Sequence, residues 1–544
     1  MKNRKLCALL AGVLALSILA GCGNGSKNTN SLSSVDLASL EVVEETQLPI
    51  SDEEITIDVW TKNRSQGYVK SFNEFEAFHE IAKLTNINLN FIHPTGNTEE
   101  QLNIMLSSGD YPDVIYHYWT TNAGKKLIKD GVGFDLKPYI EKIGPNFRKI
   151  LEEPQYKKTF ASISDQIYSM PIIFDNAKFQ AYNGFFIRKD WLDKLGLDIP
   201  TTIDEWEVVL KAFRDNDMNG NGDTTDEVPF ITHNSGVMYR YAFTTGFGAN
   251  DMIYHLDQND PTKVTHAVLT PQFKEFVVTM ARWYKEGLVY NNYISATGNE
   301  IDSLYLNDNL GAMFTNNNNA LPKYMEMRPD IELVAVPYPV NENGKTYYPR
   351  SAFEDLQVSN NGAVVTTKCK YPIEAIKYFD FLYSKQASDL MYWGVEGESY
   401  TIDENGKYQF TDLILNNPDG KVPYEAICKY MTNIGFTGLH QYESMLALES
   451  KLSPEFKAVK EQSVSTMMDM DRSLSLTYVP TTVEEDRKIS SYNDLSTYLS
   501  TMFDKFIIGA EPIENYDNFV EQCKKLGIEE VIKIKQQAYD RIEK

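Results

Sequence analysis

Hydrophobic residues follow two alternating periods between residues 55 and 116. Apolar and polar residues alternate around Ile57 and Val59, which is typical of a half-buried strand. Apolar residues then recur every three or four positions from Phe72 to Ala82, which is typical of an amphipathic helix. The pattern as a whole predicts strands at 55–60, 87–91 and 112–116, and helices at 72–82 and after the capping pair Thr98 and Gln101. This order predicts a βαβαβ unit with a parallel sheet and right-handed crossovers.

A second group of predicted elements begins near Tyr168. A strand is expected at 185–188, followed by a short helix that Asp190 caps and that stops at Gly196. Thr202 and Glu205 form a capping box for the next helix. Further helices are predicted at 273–286 and 372–384, and hairpin turns at the Asn-Gly pairs 343–344 and 405–406. We find no internal repeat.

The N-terminus resembles a bacterial lipoprotein signal. Three basic residues precede the apolar stretch 6–20, which is too short to span a bilayer as a permanent helix. It ends in Leu-Ala-Gly-Cys, so we expect cleavage after residue 21 and lipid on the thiol of Cys22. The alternative is an ordinary secretory signal with an unrelated cysteine. Residues 22–51, rich in small and polar residues, would then be a flexible tether.

Composition narrows the class of protein. The 544 residues carry a net charge of −24, and loss of the three positive charges of the signal takes this to −27. Such an acidic chain repels nucleic acid, so no nucleic-acid partner is expected. Cys369, Cys428 and Cys523 remain after the signal and the lipidated cysteine, and their spacing indicates neither a disulfide framework nor a metal site. We expect a monomer of two or more domains.

An Asp- and Asn-rich loop at 215–227 is typical of a calcium site, because Ca²⁺ prefers six to eight oxygen ligands and the glycines permit a tight turn. Two registers fit, and both stay open at this point. In one register the ligands begin at Asp217; in the other Asp215 is the first ligand and Gly220 holds the sixth position. The expected ligands are Asp217, Asn219, Asn221, Asp223, Asp226 and Glu227, with Asp215 added in the alternative register. We expect the ion to be structural.

Aromatic residues near predicted strand ends are candidates for ligand contacts. Ligands of open α/β sheets bind beyond the carboxyl ends of the strands. Aromatic side chains can stack on the apolar face of a sugar, while polar side chains bond its rim. The candidates are Trp60, Tyr116, Tyr118, Trp119, Trp283, Trp393, Glu396 and Tyr400. Trp191 and Trp206 are assigned to the core because they occupy buried helical positions.

Several segments resemble one protein family. They are SGDYPDVI at 108–115, YSMP at 168–171, IRKDWLDKLGL at 187–197, PTTIDEW at 200–206, YWGVEGESY at 392–400, and matches within 506–539. Together they are similar to the extracellular solute-binding proteins of family 1. They resemble most the long branch that includes alginate-oligosaccharide binders and the lipoproteins of Gram-positive oligosaccharide importers.

The resemblance implies an α/β, two-lobed periplasmic-binding-protein-like fold of type II, with parallel-sheet lobes joined by hinge segments. Residues 52–167 would form the first lobe, with later segments returning near 320–400. Residues 168–320 would form the second, and 400–544 a helical region completing both.

The resemblance also implies a function. The protein would capture an extracellular oligosaccharide by lobe closure and deliver it to an ABC permease, while its lipid holds it on the outer face of the cell membrane. The chain lacks a nucleotide-binding P-loop and the common hydrolase motifs, so we expect no enzyme. The alternatives are a binding lipoprotein for another solute such as a peptide, a lipoprotein glycoside hydrolase, and a sensor or adhesion lipoprotein.

Overall fold

A computed structural model gives the structure of the protein. It describes residues 37–64, 69–119, 121–156, 166–181, 183–232, 241–316, 320–347, 357–430, 435–449, 453–471, 474–476, 479 and 481–542. Cys22, the signal segment and the first part of the predicted tether lie outside the described residues.

The strands of the described chain are β1 (Ile55–Trp60), β2 (Ile87–Ile92), β3 (Val114–Tyr118), β4 (Met170–Phe174), β5 (Asn183–Arg188), β6 (Val228–Thr232), β7 (Tyr254–Leu256), β8 (Val264–His266), β9 (Leu310–Asn316), β10 (Leu333–Val336), β11 (Val358–Val365), β12 (Tyr400–Ile402), β13 (Tyr408–Phe410) and β14 (Gly438–His440). Two sheets organise them. One has the order β14-β4-β11-β3-β1-β2, and the other has the order β10-β5-β9-β6. Two hairpins, β7-β8 and β12-β13, stand apart from these sheets.

The helices that accompany the six-stranded sheet are Glu76–Thr85, Thr98–Ser108, Thr121–Lys129, Lys137–Ile143, Pro145–Glu152, Pro372–Phe381, Lys385–Tyr392, Asp412–Leu415, Pro423–Ile427 and Tyr442–Leu448. Those that accompany the four-stranded sheet or follow it in the chain are Lys189–Leu195, Ile203–Asp215, Pro271–Lys285, Gly298–Leu306, Ala320–Met327, Pro454–Met468, Val483–Ser490, Asn493–Ile507, Tyr516–Lys525 and Ile528–Ile542. Each sheet with its helices forms one lobe. The predicted two-lobed α/β fold is therefore confirmed.

The predicted βαβαβ unit is confirmed as β1 to β3. β1 pairs in parallel with both β2 and β3, so its residues from Ile55 to Trp60 lie in the middle of the unit. The cap of helix Thr98–Ser108 is Asn97, one residue before the predicted cap Thr98, because the Asn97 side chain accepts the Glu100 N–H. Its end needs the left-handed φ of 68° that Gly109 supplies without steric cost.

The sheets are mixed rather than wholly parallel. β11 runs antiparallel to β3 and β4, and β5 runs antiparallel to β9 and β10. β11 runs opposite to β4 because the chain leaves the first lobe at the end of β4 and returns to it at the same edge. The first lobe therefore draws on a late segment, β11, but the predicted return near 320 is too early, because helix Ala320–Met327 and β10 belong to the second lobe.

The predicted boundary of the second lobe near Tyr168 is too early. β4, which follows Tyr168, pairs with β11 and β14 inside the six-stranded sheet, and the second lobe begins at β5. The region 400–544 divides between the lobes. Its part up to helix Tyr442–Leu448 packs with the first lobe, whereas helix Pro454–Met468 packs against β5 and β10.

Candidate functional site

The carboxyl ends of several first-lobe strands lie at one edge of the six-stranded sheet. β1, β2 and β3 are parallel, and β4 and β14 point the same way because β11 runs antiparallel between β3 and β4. The chain leaves this edge at the end of β4 to reach the second lobe and returns to it at the start of β11. This edge is therefore the one that faces the second lobe.

A cavity of about 600 Å³ lies at this edge. Its lining residues are Lys62, Arg64, Gly96, Asn97, Thr98, Glu99, His117 and Tyr118. Tyr118, at the end of β3, is 46% exposed. The cavity thus combines an aromatic face with hydrogen-bonding groups from three strand ends and a helix start.

Polar side chains around the cavity contact one another. His117 Nε2 lies 3.1 Å from Glu99 Oε1, and burial is the main cause that lowers the pKa of His117. The Arg64 guanidinium donates to the Asn361 side-chain oxygen on β11. Of these residues, only Tyr118 was among the sequence candidates. Lys62, Arg64 and His117 lie in the strand-end segments that the sequence places at a cleft but were not chosen as ligand candidates, and Asn97, Glu99 and Asn361 were missed.

Trp60 and Trp119 lie beneath this cavity instead of lining it. Both are buried, in an apolar cluster that includes Ile115 and Val364. The Trp119 indole N–H donates to the Gly362 carbonyl at 3.1 Å. Apolar packing covers both indoles and an internal hydrogen bond occupies that of Trp119, so neither ring lines the cavity in this structure, and their contact with a ligand stays a prediction.

Tyr116 and Trp283 are core residues. Tyr116 is 2% exposed, its ring centroid lies 4.6 Å from that of Phe436, and burial raises the pKa of its phenol. Trp283 is fully buried in the second lobe, and its indole N–H donates to Glu207 Oε2 at 2.9 Å. Their predicted ligand contacts are wrong. The helical spacing of Trp283 from Phe276 and Met280 was a signal for the core.

Trp393, Glu396 and Tyr400 belong to a different part of the first lobe. Trp393 and Tyr400 are buried, and the Trp393 indole N–H donates to Gln441 at 2.7 Å. Trp393 lines a separate cavity of about 880 Å³ beside β14, together with residues of hairpin β12-β13. Glu396 is exposed in the turn before β12. β4 and β11 separate this region from β3, so these residues do not join Tyr118 in one site.

The Asp- and Asn-rich loop wraps around Asp217. One Asp217 oxygen accepts the N–H groups of Gly220 and Asn221 at 2.6 and 3.1 Å, and the other accepts that of Gly222 at 2.9 Å. Asp215 instead pairs with the neighbouring Arg214 at 2.7 Å. The geometry therefore centres the loop on Asp217 and turns Asp215 away from it.

Two carboxylate oxygens in this loop fit a cation. Asp226 Oδ1 and Glu227 Oε2 are buried without a hydrogen-bond donor among the described residues, and burial raises the pKa of Glu227. Elsewhere in the loop Asn221 Nδ2 donates to Asp226 Oδ2 at 2.7 Å. No group of three or more His, Cys, Asp or Glu side chains that could hold a metal ion is found in the described part of the chain. Asn219 and Asn221 would therefore have to supply part of any ligand set.

Two further observations concern the cysteines and membrane segments. Cys369, Cys428 and Cys523 are free and buried, and burial raises the pKa of each thiol. Within the described residues, no helix is both long enough and apolar enough to cross a membrane.

Comparison with protein families identifies the architecture. Residues 63–389 match the model of the bacterial extracellular solute-binding proteins. The chain belongs to this family. The match spans both lobes and includes the Asp- and Asn-rich loop as well as the cavity residues from Arg64 to Tyr118.

Relatives of this solute-binding protein share most of its length. The fructooligosaccharide ABC transporter substrate-binding protein FusA of Streptococcus pneumoniae is 26% identical over 97% of this chain and 96% of its own length. The lipoprotein LipO of Bacillus subtilis is 22% identical, covering 81% of this chain and 84% of LipO. The alginate-binding protein AlgQ2, solved without calcium ion, superposes with a TM-score of 0.71 at 25% identity, covering 92% of this chain and 100% of AlgQ2.

A solved EF-hand mutant of FusA in complex with fructo-nystose has a TM-score of 0.71 at 23% identity, covering 90% of this chain and 99% of that one. The comparisons agree with the expected family. They show the fold across the described lobes rather than the role of individual side chains.

Proposed function

We propose that this protein captures an extracellular oligosaccharide between its two lobes and presents it to the permease of an ABC importer. The observation that carries the proposal is the cavity at the lobe-facing edge, where the exposed ring of Tyr118 stands beside polar side chains. The likeness to FusA over nearly the whole chain supports the same ligand class.

Each part of the cavity suits one part of a sugar. The apolar face of a pyranose or furanose ring packs on Tyr118, while its hydroxyl rim meets donors such as Arg64 and acceptors such as Glu99. The neutral imidazole of His117 can both donate and accept. A ligand held in this way favours the closed state only if it also contacts the second lobe, because closure follows differential affinity for the two states.

A thermal-shift and calorimetric screen with oligosaccharides tests this proposal. We expect one glycan class to raise the unfolding midpoint, because a ligand that binds only the folded state stabilises it by mass action. Tyr118→Ala should weaken binding by at least about tenfold without lowering the midpoint of the unliganded protein. The matched control is Tyr498→Ala, an aromatic truncation remote from the cavity, in a second-lobe helix. Binding that survives Tyr118→Ala unchanged would contradict the proposed site.

The same screen separates the alternative functions. Saturable binding without release of shorter glycans supports a transport receptor, whereas steady product formation identifies a glycoside hydrolase. A midpoint raised by peptides and by no glycan would establish the other-solute alternative. The family and the relatives named above are binding proteins, which favours the first outcome.

We also propose a structural Ca²⁺ in the loop centred on Asp217. Asp217, Asn219, Asn221, Asp223, Asp226 and Glu227 would hold it once the loop draws its carboxylates together around the ion, and its charge would compensate the buried oxygens of Asp226 and Glu227. The ion would tie the end of helix Ile203–Asp215 to the start of β6. EGTA should lower the unfolding midpoint and added Ca²⁺ should restore it.

Two variants make the calcium test specific. Asp217→Asn should remove the response of the midpoint to EGTA. Asp215→Asn should leave it intact, because Asp215 is paired with Arg214 outside the loop centre. A midpoint that ignores EGTA in the unmodified protein would refute the calcium proposal.

Finally, we propose that lipid on Cys22 anchors the mature protein to the outer face of the membrane. LipO, named a lipoprotein, supports this assignment. Cys22→Ala should move the protein from the membrane fraction to the medium. Cys7→Ala, inside the cleaved segment, should not. Retention of the Cys22→Ala protein on membranes with its apolar segment removed would contradict lipid anchoring.

A further inference from the structure

The part of the predicted tether that the structure describes lies against the folded protein. Residues 37–51 cross the surface of the first lobe as a strap. Four of their apolar side chains are half-buried against the core of this lobe, namely Leu37, Leu40, Val43 and Ile50. A freely moving tether buries no apolar side chain. The tether expected over residues 22–51 is therefore shorter than its sequence indicates, because its second half is part of the first lobe.

Backbone hydrogen bonds hold the middle of the strap against the helices between residues 137 and 152. The Val43 N–H donates to the Lys142 carbonyl at 2.8 Å, and the Arg148 guanidinium donates to the Val43 carbonyl at 2.8 Å. Both backbone polar groups of this strap residue are thus bonded to the first lobe. Arg148 also lies 3.2 Å from Glu44 Oε2, which adds an ion pair at the same point.

Further hydrogen bonds follow the strap toward β1. Asn146 Nδ2 donates to Thr46 Oγ1 at 2.8 Å. The N–H groups of Ile50 and Ser51 donate to the Thr85 carbonyl at 3.1 and 3.2 Å, at the end of the helix that precedes β2. These contacts and those of the middle of the strap are all made with first-lobe residues. The strap is therefore fastened along its length to one lobe.

Charge favours the same arrangement. The strap contains three glutamates and no lysine or arginine. The helical segment 137–150 beside it contains four cations and one acidic residue, namely Lys137, Lys142, Arg148, Lys149 and Glu141. The three glutamates are exposed, and attraction between exposed charges contributes little and is screened by salt. Apolar contacts and backbone hydrogen bonds therefore hold most of the strap, and it should stay docked at moderate salt concentration.

The strap limits how far the folded protein can stand from a membrane. With lipid on Cys22, only residues 22–36 separate the anchor from the strap. These fifteen residues span at most about 50 Å when fully extended, whereas the thirty residues from 22 to 51 would span about 100 Å. The chain leaves the lobe at Leu37, which lies within about 20 Å of Val43 because only six residues of chain join them. The anchor therefore pulls on the side of the first lobe that carries the helices between 137 and 152.

We propose that the strap sets how this protein sits on its membrane: it halves the reach of the lipid anchor and turns the helices between residues 137 and 152 toward the bilayer. This inference rests on the proposed lipid on Cys22. The strap contacts described above leave the second lobe out. Lobe closure can therefore proceed while the first lobe stays held at a limited distance from the membrane.

Variants confined to the strap test its docking without altering the surface beneath it. Leu40→Ser combined with Val43→Ser removes two half-buried apolar contacts. The matched control combines Val42→Ser with Leu48→Ser, at strap positions that are 53% and 37% exposed. Hydrogen exchange of the mature protein should show protected strap amides in the unmodified and control proteins. Exchange should be at least about tenfold faster in the first variant, because lost apolar burial favours the undocked strap.

Energy transfer to a bilayer then tests the positioning role. The mature protein is coupled through Cys22 to a maleimide lipid in vesicles, which is selective because Cys369, Cys428 and Cys523 are buried. A fluorescent amino acid replaces an exposed lysine, Lys149 in the first lobe or Lys533 in the second, and acceptor lipids report its distance from the membrane.

We expect more transfer from position 149 than from position 533 in the unmodified and control proteins. Transfer from position 149 should fall in the variant with Leu40→Ser and Val43→Ser, because the chain between the lipid and the lobe has doubled in length. The unfolding midpoint of the soluble protein should be nearly the same for both variants, which shows that the lobes remain folded.

Each contrary result has its own meaning. Strap amides of the unmodified protein that exchange as fast as those of an unfolded peptide would overturn the docking. Equal transfer from position 149 in the unmodified protein and the undocked variant, or greater transfer from position 533, would overturn the positioning role. Failure of natural lipidation would appear instead as membrane retention of the Cys22→Ala protein, with the strap still protected from exchange.

Discussion

A buried ion pair connects the two lobes and provides the sharpest stability prediction. Lys460 Nζ lies 2.6 and 2.8 Å from the two carboxylate oxygens of Glu449, and the side chains are 5% and 3% exposed. Glu449 follows first-lobe helix Tyr442–Leu448, whereas Lys460 is on helix Pro454–Met468 against the second-lobe sheet. The pair therefore fastens a crossing between the lobes.

The expected loss of folding stability follows from the cost of burying a charge without its partner. Burial lowers the pKa of Lys460 in spite of the nearby carboxylate, which indicates that water solvates the pair poorly. Replacing only Lys460 with Met leaves the Glu449 carboxylate buried without its partner, and such changes cost about 3–5 kcal/mol. Replacing both residues, as in Glu449→Leu with Lys460→Met, removes both charges. The double variant should stay within about 1–2 kcal/mol of the original protein or exceed it.

Urea unfolding of the single and double variants measures these free energies as a double-mutant cycle. The control is Lys533→Met, which breaks the exposed pair with Glu530, where the side chains are 66% and 54% exposed. Such a surface pair is worth less than about 1 kcal/mol. If Lys460→Met costs no more than Lys533→Met, or if the double variant is as unstable as the single one, the reasoning from desolvation is refuted.

Three further predictions concern pH and packing. Hydrogen bonds from Arg282 hold the pKa of Glu207 far below its usual range. The contribution of the Glu207 carboxylate to folding stability is therefore present above about pH 4.5 and is lost at lower pH. Glu207→Gln should cost about 2–3 kcal/mol at pH 7 by urea unfolding, and much less at pH 3. Burial lowers the pKa of His440 to about 3, so this residue destabilises the fold as pH falls below about 6.5. The melting temperature of the His440→Phe variant should therefore fall less between pH 6.5 and 4 than that of the original protein. Gly438 has a φ of 133°, and an added Cβ would lie 2.8 Å from the Leu382 carbonyl oxygen. Gly438→Ala should therefore lower the melting temperature by several degrees. Gly420→Ala, where an added Cβ meets open space, should have a smaller effect. Equal pH profiles for variant and parent, or equal shifts for the two glycines, would contradict these assignments.

Local signals in the sequence predicted the local structure well. The alternation around Ile57 gave β1, because burial on one face imposes its period directly. The helical spacing from Phe72 gave the following helix, although that helix begins only at Glu76, after a separate 3-10 turn at Phe72–Glu74. The capping box of Thr202 and Glu205 is present as predicted, since it depends only on residues three apart. Trp191 and Trp206 lie in the core as expected. The cap at Asp190 is wrong, because its carboxylate pairs with Arg188.

The candidate site was harder to predict because it depends on strand order. Nothing local to Trp393 indicates that β4 and β11 separate it from Tyr118. Sequence reasoning also favoured aromatic residues, and most of these were needed for the core. The cations at 62 and 64 follow a strand that was correctly predicted, so the position was known. The contact between Arg64 and Asn361 of β11 is a tertiary property and could not be read from the sequence.

The arrangement of the two lobes bears on the order of events during binding. The cavity walls described above, with Tyr118 and Arg64, all come from the first lobe, so a sugar can dock there before closure. The facing edge of the second lobe carries the ends of β6 and β9. Thr232, at the end of β6, is buried, whereas Asn316, at the end of β9, is half-buried and can meet a docked ligand only when the lobes approach. A glycan too short to reach this edge has no differential affinity for the closed state. It would bind without closing the protein, and therefore without signalling to a permease.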